Sequence, residues 1–175
     1  MAAVLAMDAE EIERVIEPIE GVQIANYNCP GQIVISGKKE AVDEAAEKLK
    51  EAGAKRVIPL NVSGPFHSRM LTEAGEKLGK VLDTVEIHEP VIPYAANVTA
   101  EYVTKAEDVK PLLVKQVSSS VRWEQTMRMM LQDGVDTFIE IGPGKTLAGF
   151  MKKIDRNVRV INIEKLEDIE KVREL

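Results

Sequence analysis

Several features are scarce in this chain of 175 residues, and each scarcity argues against a class of protein. The single cysteine, Cys29, cannot form an internal disulfide bond, which is typical of a reducing cytosol. The net charge of −6 argues against nucleic-acid binding, because phosphate recognition needs a basic surface. No apolar run approaches the roughly 18 residues of a membrane-spanning helix. We therefore predict a cytoplasmic protein that binds neither membrane nor nucleic acid.

The first 60 residues have patterns typical of a small mixed domain. Apolar residues make up 45% of the chain, which is enough for a packed core. Proline and glycine in Cys29-Pro30-Gly31 predict a hairpin turn, since proline fixes φ and glycine accepts a positive φ. The order βαββαβ indicates a ferredoxin-like fold. Strands are predicted over residues 2–7, 22–28, 32–37 and 55–60, and helices over residues 8–19 and 38–53.

Residues 61–175 alternate helical and strand patterns, which predicts an α/β layer on a parallel sheet. Ser120 is predicted to cap the start of a helix, Gly134 to follow its end, and Pro111 to lie in a first helical turn. We therefore predict two domains, residues 1–60 and residues 61–175. Helices are predicted near residues 71–82, 109–116, 121–133, 146–154 and at the C-terminus, and strands near residues 92–96, 137–141 and 158–163.

The most informative segment is the loop of residues 61–70, Asn-Val-Ser-Gly-Pro-Phe-His-Ser-Arg-Met. Its histidine, His67, lies where side chains tend to point into clefts, and an imidazole suits acid–base chemistry near neutral pH. A surface or capping histidine fits the same pattern. The other histidine, His88, lies two residues before Pro90 with no acidic partner at ligand spacing. We therefore predict no metal site and no cofactor.

A glycine-rich turn at residues 140–146, Glu-Ile-Gly-Pro-Gly-Lys-Thr, joins a predicted strand to a helix. It is not a P-loop, because the glycine required five positions before Gly144 is missing. Its N–H groups could still hold an anion, or the segment is simply a tight turn. Lys145, Lys152 and Lys153 belong to a basic segment that could contact an acidic partner or nucleotide phosphates, or lie on a solvated helix face.

The chain contains no recognisable nucleophile. Ser36, Ser63, Ser68 and Ser118–Ser120 all lack the flanking glycines of a G-x-S-x-G elbow. Cys29 lies in a predicted turn without a nearby sequence signal for a base, which favours an inert thiol.

Six blocks of sequence together resemble the malonyl-CoA:acyl-carrier-protein transacylase family of fatty acid synthesis. They occur in the family's order and extend over nearly the whole chain. The resemblance implies an α/β-hydrolase-like acyltransferase domain with an inserted ferredoxin-like subdomain. This chain would hold most of the insert and the C-terminal part of the large domain. The blocks are residues 1–5, 28–37, 62–68, 97–100, 116–123 and 140–145.

The resemblance also implies a mechanism and its residues. Malonyl would pass from malonyl-CoA to a serine, and then to the phosphopantetheine thiol of acyl carrier protein, with a histidine as the base. His67 occupies the position of that histidine. Gln116 occupies the position whose backbone carbonyl orients it, in place of a triad carboxylate. Phe66 resembles the malonyl-type form of the motif and would contribute to substrate specificity.

The family's serine, its malonate-pairing arginine and its oxyanion-hole glutamine would all lie upstream of Met1. We therefore expect a C-terminal portion that is inactive alone and that self-associates through an exposed half-sheet. The alternative is a non-catalytic module that binds carrier protein, aided by the basic segment. An RNA-recognition module shares the βαββαβ order, but Tyr27 is the only aromatic residue in residues 1–60.

Overall fold

A computed structural model describes residues 1–173. The chain forms two compact units, Met1–Thr126 and Met127–Leu175. The predicted domain boundary near residue 61 falls inside the first unit and stays a prediction. None of the helices in the described part of the chain combines the length and the apolar character that crossing a bilayer requires.

The first unit opens with a four-stranded sheet in the order β2-β3-β1-β4, and all of its strand pairs are antiparallel. Two helices connect its strands, so the chain order is βαββαβ. This topology confirms the predicted ferredoxin-like fold. The elements are β1 (Ala2–Leu5), α1 (Ala9–Ile16), β2 (Val22–Cys29), β3 (Gln32–Gly37), α2 (Lys39–Glu51) and β4 (Arg56–Pro59).

Helices α1 and α2 contribute apolar side chains to a core that they share with the sheet. Ile12 of α1, Leu49 of α2 and Ile35 of β3 are completely buried in this core. Complete burial of one such side chain contributes about 1.5–3 kcal/mol. The helical and strand periods seen in the sequence therefore correspond to the faces that meet in the core.

Helix α1 ends at Ile16, three residues before its predicted end at Ile19. Pro18 explains the difference, because it has no N–H to donate to a helical carbonyl. The N–H of Ile19 instead bonds to the carbonyl of Ile16 at 2.9 Å, which closes a turn. Ile19 remains buried although it lies outside the helix.

The β2–β3 hairpin turn is confirmed, with Gly31 at φ +69° between the two strands. Cys29 differs from the prediction, because it is the last residue of β2 rather than a turn residue. Its side chain is completely buried at 0% exposure. Burial withdraws the thiol from reagents in solution, which agrees with an inert cysteine.

The remainder of the first unit contains two helices and a hairpin that the sequence did not predict in full. Strands β5 and β6 pair antiparallel, so the predicted parallel sheet does not include this region. Helix α4 begins three residues before its predicted start, which puts Pro111 in the second turn rather than the first. The elements are a 3₁₀ turn (Arg69–Leu71), α3 (Thr72–Leu82), β5 (Tyr94–Ala96), β6 (Glu101–Val103) and α4 (Ala106–Val117).

Helices α3 and α4 pack closely at a glycine. A Cβ atom added at Gly75 would lie 2.8 Å from the carbonyl oxygen of Val114, closer than such atoms can approach. Gly79, one turn further along α3, is also buried and would meet the Val114 side chain at 3.2 Å. The lack of side chains at Gly75 and Gly79 therefore lets α4 approach α3 closely at Val114.

The second unit contains a parallel strand pair, as predicted. Strands β7 and β8 pair in parallel with Ile139 opposite Ile161, and α6 connects them. Gly134 follows α5 at φ +87°, in agreement with its predicted position after the helix. The elements are α5 (Trp123–Gln132), which begins in the first unit, then β7 (Thr137–Ile141), α6 (Thr146–Ile154), β8 (Arg159–Ile163) and a 3₁₀ helix (Leu166–Val172).

Candidate active site

The loop between β4 and the 3₁₀ turn is closed by its own hydrogen bonds. The Ser68 hydroxyl is buried and donates to the carbonyl of Pro65 at 2.6 Å. The Leu71 N–H donates to the carbonyl of Ser68 at 2.9 Å and starts the turn that leads into α3. Ser68 therefore has a structural role, and its hydroxyl is not available as a nucleophile.

His67 lies in this loop with an unusual backbone conformation. Its φ of +55° is in the left-handed region, where residues other than glycine are uncommon, although histidine is among those enriched there. A non-glycine residue held in this region costs about 1–3 kcal/mol, so other contacts must stabilise it. Such strain is frequent at functional sites.

The His67 ring faces the end of α4. Its Nδ1 lies 3.2 Å from the backbone carbonyl oxygen of Gln116, and the contact is partly buried. A carbonyl oxygen only accepts hydrogen bonds, so Nδ1 carries the proton of this bond. In the neutral ring Nε2 then keeps its lone pair, which is the arrangement that a general base requires.

Gln116 lies in the last turn of α4, where backbone carbonyls lack the usual helical donor, and its carbonyl also accepts a long 3.5 Å bond from the Ser119 N–H. Its side-chain oxygen also lies 3.5 Å from the Asn97 amide nitrogen. The carbonyl of Asn97 accepts the N–H of Arg122 at 2.8 Å. Contacts around Gln116 thus connect three of the sequence blocks that carry the family resemblance, residues 62–68, 97–100 and 116–123.

The segment after α4 adds a short parallel bridge to the free edge of β2. Val121 donates its N–H to the carbonyl of Ala25 at 2.8 Å and accepts the N–H of Tyr27 at 2.9 Å. The Ser120 hydroxyl donates to the Ile24 carbonyl at 2.6 Å. The prediction that Ser120 caps a helix is therefore wrong, because this bridge keeps the chain extended until α5 begins at Trp123.

Gln23 of β2 contacts the His67 loop and was not predicted as a site residue. Its amide nitrogen donates to the carbonyl of His67 at 3.2 Å, and its amide oxygen accepts the N–H of Arg69 at 3.0 Å. Both partners are distant in sequence, and a polar residue is ordinary in an edge strand. No sequence pattern therefore distinguished Gln23 from other strand residues.

Two other candidate residues of the first unit, Phe66 and His88, are exposed. Phe66 precedes His67 and is 45% exposed. Its ring packs over Gly64, and a Cβ atom added at Gly64 would lie 3.4 Å from the ring. His88 is exposed, with its Nδ1 3.8 Å from a carboxylate oxygen of Glu86. The structure thus brings His67 and Gln116 together and leaves His88 outside their contact.

The glycine-rich turn of the second unit already binds carboxylates of the same chain. Glu140 accepts the N–H groups of Leu147 and Ala148 at 3.0 and 2.8 Å, at the start of α6. Glu164 accepts the N–H of Gly144 at 3.1 Å. The suggestion that this turn holds an external anion is therefore wrong for these N–H groups, and the tight-turn interpretation is correct.

Lys145, Lys152 and Lys153 are exposed, Lys145 at the start of α6 and the other two in its last turn. Exposure is compatible both with a solvated helix face and with a contact to an anionic partner. Their role in binding stays a prediction.

Comparison with known proteins agrees with the resemblance seen in the sequence. The acyl transferase domain family matches residues 1–167. A malonyl CoA-acyl carrier protein transacylase of Bacillus subtilis (strain 168) is 49% identical over 174 residues, 97% of this chain and 55% of that protein. Its counterpart in Staphylococcus aureus (strain COL) is 42% identical over 173 residues, 97% of this chain and 56% of that protein. The chain thus spans about half the length of the curated relatives that it matches.

Solved structures give the same result. The malonyl CoA-acyl carrier protein transacylase of Clostridium perfringens superposes with a TM-score of 0.94 at 44% identity, over 99% of this chain and 55% of that one. A malonyl-transacylase in complex with a type II PKS acyl-carrier protein superposes with a TM-score of 0.95 at 35% identity, over 99% of this chain and 57% of that one. The chain therefore belongs to the acyl transferase domain family, and it is similar to about half the length of its malonyl CoA-acyl carrier protein transacylase relatives.

Proposed function

We propose that this chain supplies the histidine-bearing part of an enzyme that transfers malonyl from malonyl-CoA to acyl carrier protein. The observation that carries the proposal is the 3.2 Å contact between His67 Nδ1 and the Gln116 carbonyl. That contact leaves Nε2 of His67 unprotonated, so that it can act as a base. The acyl transferase family and the named relatives support acyl transfer as the reaction that uses this base. We place the nucleophilic serine of the reaction in the part of the relatives that this chain does not match.

In the proposed first half-reaction, the serine oxygen attacks the malonyl thioester carbon while Nε2 of His67 takes the hydroxyl proton. The tetrahedral intermediate collapses as the C–S bond breaks, and the imidazolium returns the proton to the departing CoA sulfur. Malonyl-serine and CoA thiol are the products. No net charge is created, because the proton passes from the serine oxygen to the CoA sulfur through one imidazole.

In the second half-reaction, the phosphopantetheine thiol of acyl carrier protein attacks the malonyl-serine ester. His67 accepts the thiol proton and delivers it to the departing serine oxygen. The malonyl group leaves as a thioester of the carrier protein, and the free serine is regenerated. One base in one tautomer therefore serves both halves of a ping-pong cycle.

Gln116 has the orienting role in this proposal. Its carbonyl accepts the Nδ1–H bond, which holds the ring in the tautomer that leaves Nε2 unprotonated. The same bond stabilises the imidazolium, since the proton on Nδ1 is shared with a carbonyl dipole. Because the acceptor is a backbone group, its position depends on α4 and is independent of the residue's side chain.

The remaining candidate residues would contact substrates. Phe66, beside His67 and 45% exposed, would line the acyl site and contribute to selection of malonyl. The exposed Lys145, Lys152 and Lys153 would contact CoA phosphates or an acidic face of the carrier protein. A relative solved in complex with an acyl-carrier protein supports the carrier-protein interaction.

The experiment that tests the proposal joins this chain to the part of the Bacillus subtilis relative that it does not match. That part is placed ahead of Met1. Mass spectrometry after incubation with malonyl-CoA should show one added malonyl group on the joined protein and none on the 175-residue chain alone. Holo acyl carrier protein should then remove the group.

A joined protein that folds but never acquires malonyl would contradict the proposal. Salt-sensitive binding of carrier protein to the chain without any acylation of the joined protein would favour the non-catalytic binding module. In that case Lys152→Glu and Lys153→Glu should weaken the binding, since exposed cations would be responsible for it.

A further inference from the structure

We infer that Gln23 is a positioning residue for His67, holding the left-handed backbone of the proposed base through both ends of one side-chain amide. The inference rests on the proposed function, because positioning matters only if His67 acts as the base. It concerns a residue of the ferredoxin-like sheet rather than of the loop that carries the histidine.

The Gln23 side chain forms two hydrogen bonds to the loop, one on each side of Ser68. Its amide nitrogen donates to the His67 carbonyl at 3.2 Å, and its amide oxygen accepts the Arg69 N–H at 3.0 Å. A primary amide is the side chain that offers a donor and an acceptor side by side. The two bonds enclose Ser68, so they fix the chain direction directly after the histidine.

The two Gln23 hydrogen bonds lie next to the strained backbone of His67. His67 has a φ of +55°, a strained conformation that persists only if the surrounding contacts hold it. The Ser68 hydroxyl stabilises the loop from within, through its bond to Pro65. Gln23 connects this loop to the sheet, because it lies on β2 and bonds to His67 and Arg69 of the loop.

The same strand also holds the segment that follows Gln116. Val121 exchanges backbone hydrogen bonds with Ala25 and Tyr27, only a few residues after Gln23 on β2. Both ends of the His67–Gln116 contact are therefore attached to the same strand. Loss of the Gln23 side chain would free the His67 loop from β2, while the Val121 backbone bonds would still hold the segment after Gln116. The contact between His67 Nδ1 and the Gln116 carbonyl should therefore weaken.

Gln23 contributes little to the packing of the sheet. It is partly buried and does not belong to the apolar core formed by α1, α2 and the strands. It pairs with Ser36 of β3 through backbone atoms, which a substitution would preserve. Changes at this side chain can therefore be separated from changes in folding.

The experiment uses three variants of the full 175-residue chain. Gln23→Met keeps the length of the side chain and removes both hydrogen bonds. Gln23→Glu keeps an acceptor for the Arg69 N–H and loses the donor to the His67 carbonyl. Gln132→Met, at the exposed end of α5, is the matched control.

The measurement is the ratio of the two neutral imidazole tautomers of His67, read from long-range ¹H–¹⁵N correlations in alkaline buffer, with His88 as the internal reference. Gln23→Met and Gln23→Glu should each lower the Nδ1–H to Nε2–H ratio of His67 by about 3- to 10-fold, the effect of weakening one neutral hydrogen bond. The Arg69 amide should exchange faster in Gln23→Met and keep its protection in Gln23→Glu. Gln132→Met and the His88 ratio should not change.

An unchanged His67 ratio in either folded Gln23 variant would overturn the positioning role. If Gln23→Met does not fold, Gln23→Glu still decides, because it loses the donor to the His67 carbonyl and keeps the acceptor for the Arg69 N–H. None of these readouts uses malonyl-CoA. A shifted tautomer together with an inactive joined enzyme would therefore contradict the proposed function and leave the positioning role standing.

Discussion

His67 of the loop after β4 and Gln116 of the last turn of α4 lie 49 residues apart in sequence, yet they meet at 3.2 Å between an imidazole Nδ1 and a backbone carbonyl. The contact occurs because each segment is fastened to β2, the first through Gln23 and the second through Val121. An edge strand of the small sheet therefore sets the geometry of the proposed base.

This relationship predicts the tautomer of the unmodified chain. His67 should be predominantly the Nδ1–H form when neutral, because its Nδ1 faces the Gln116 carbonyl, which can only accept a hydrogen bond. His88, exposed near Glu86, gives the value for a histidine without that contact. Nitrogen chemical shifts that show His67 mainly as the Nε2–H form would contradict the orientation of the ring.

The glycine contact between α3 and α4 predicts opposite effects of one substitution at two helical glycines. Gly75→Ala should lower the free energy of unfolding by about 1–3 kcal/mol, because its Cβ would meet the Val114 carbonyl at 2.8 Å. Gly149→Ala in α6 meets nothing within 4 Å among the described residues. It should raise that free energy by about 0.5–1 kcal/mol through helix propensity. Chemical denaturation measures both, and equal effects would refute the close packing.

Tyr27 predicts how stability depends on alkaline pH. Burial, and then the 2.5 Å hydrogen bond to Glu13, raise the pKa of the Tyr27 phenol above its ordinary value of 10.0. Because the pKa is raised in the folded state, the protonated Tyr27 phenol stabilises the fold fully below about pH 10, and this stabilisation is lost as the pH rises further. Tyr27→Phe should therefore flatten the fall in unfolding free energy above pH 10. An identical pH profile for the variant and the unmodified chain would rule this out.

The exposed strand β7 predicts self-association. Ile139 and Ile141 lie two residues apart on one face of β7 and are 43% and 77% exposed. Exposed apolar residues on a strand invite pairing with another chain. Size-exclusion chromatography should show oligomers, and Ile139→Lys with Ile141→Lys should shift them toward the monomer.

Leu166→Lys is the control for that experiment, because Leu166 is 82% exposed in a 3₁₀ helix outside the strand pair. A compact monomer for the unmodified chain, or an equal effect of the control, would show that β7 is not the surface involved.

The sequence predicted those parts of the fold that depend on local periodicity. The βαββαβ order, the turn at Gly31 and the parallel pair β7–β8 all follow from apolar spacing and turn residues. Strand β6 was missed because its three residues give too short a pattern, whereas the equally short β5 lies inside the longer segment predicted as a strand, residues 92–96. Helix α1 was drawn too long because the apolar spacing continues past Pro18, where the helical hydrogen bonds cannot.

The candidate site was predictable only where a residue type carries its own chemistry. His67 was identifiable from its loop and from the family resemblance, whereas Gln116, a residue of α4, was identifiable from the resemblance alone. Gln23 and Ser120 were not, because their roles depend on hydrogen bonds to residues 44 and 96 positions away. Such contacts depend on tertiary structure, which a local pattern does not contain.

The most direct test of the central claim compares the two histidines in the joined enzyme. His67→Ala should lower kcat/KM for malonyl transfer to acyl carrier protein by about 10²–10⁴-fold, the usual contribution of a general base. His88→Ala should leave it unchanged, because that exposed histidine lies outside the His67–Gln116 contact. A folded His67→Ala enzyme that transfers malonyl at the rate of the His88→Ala enzyme would contradict the account.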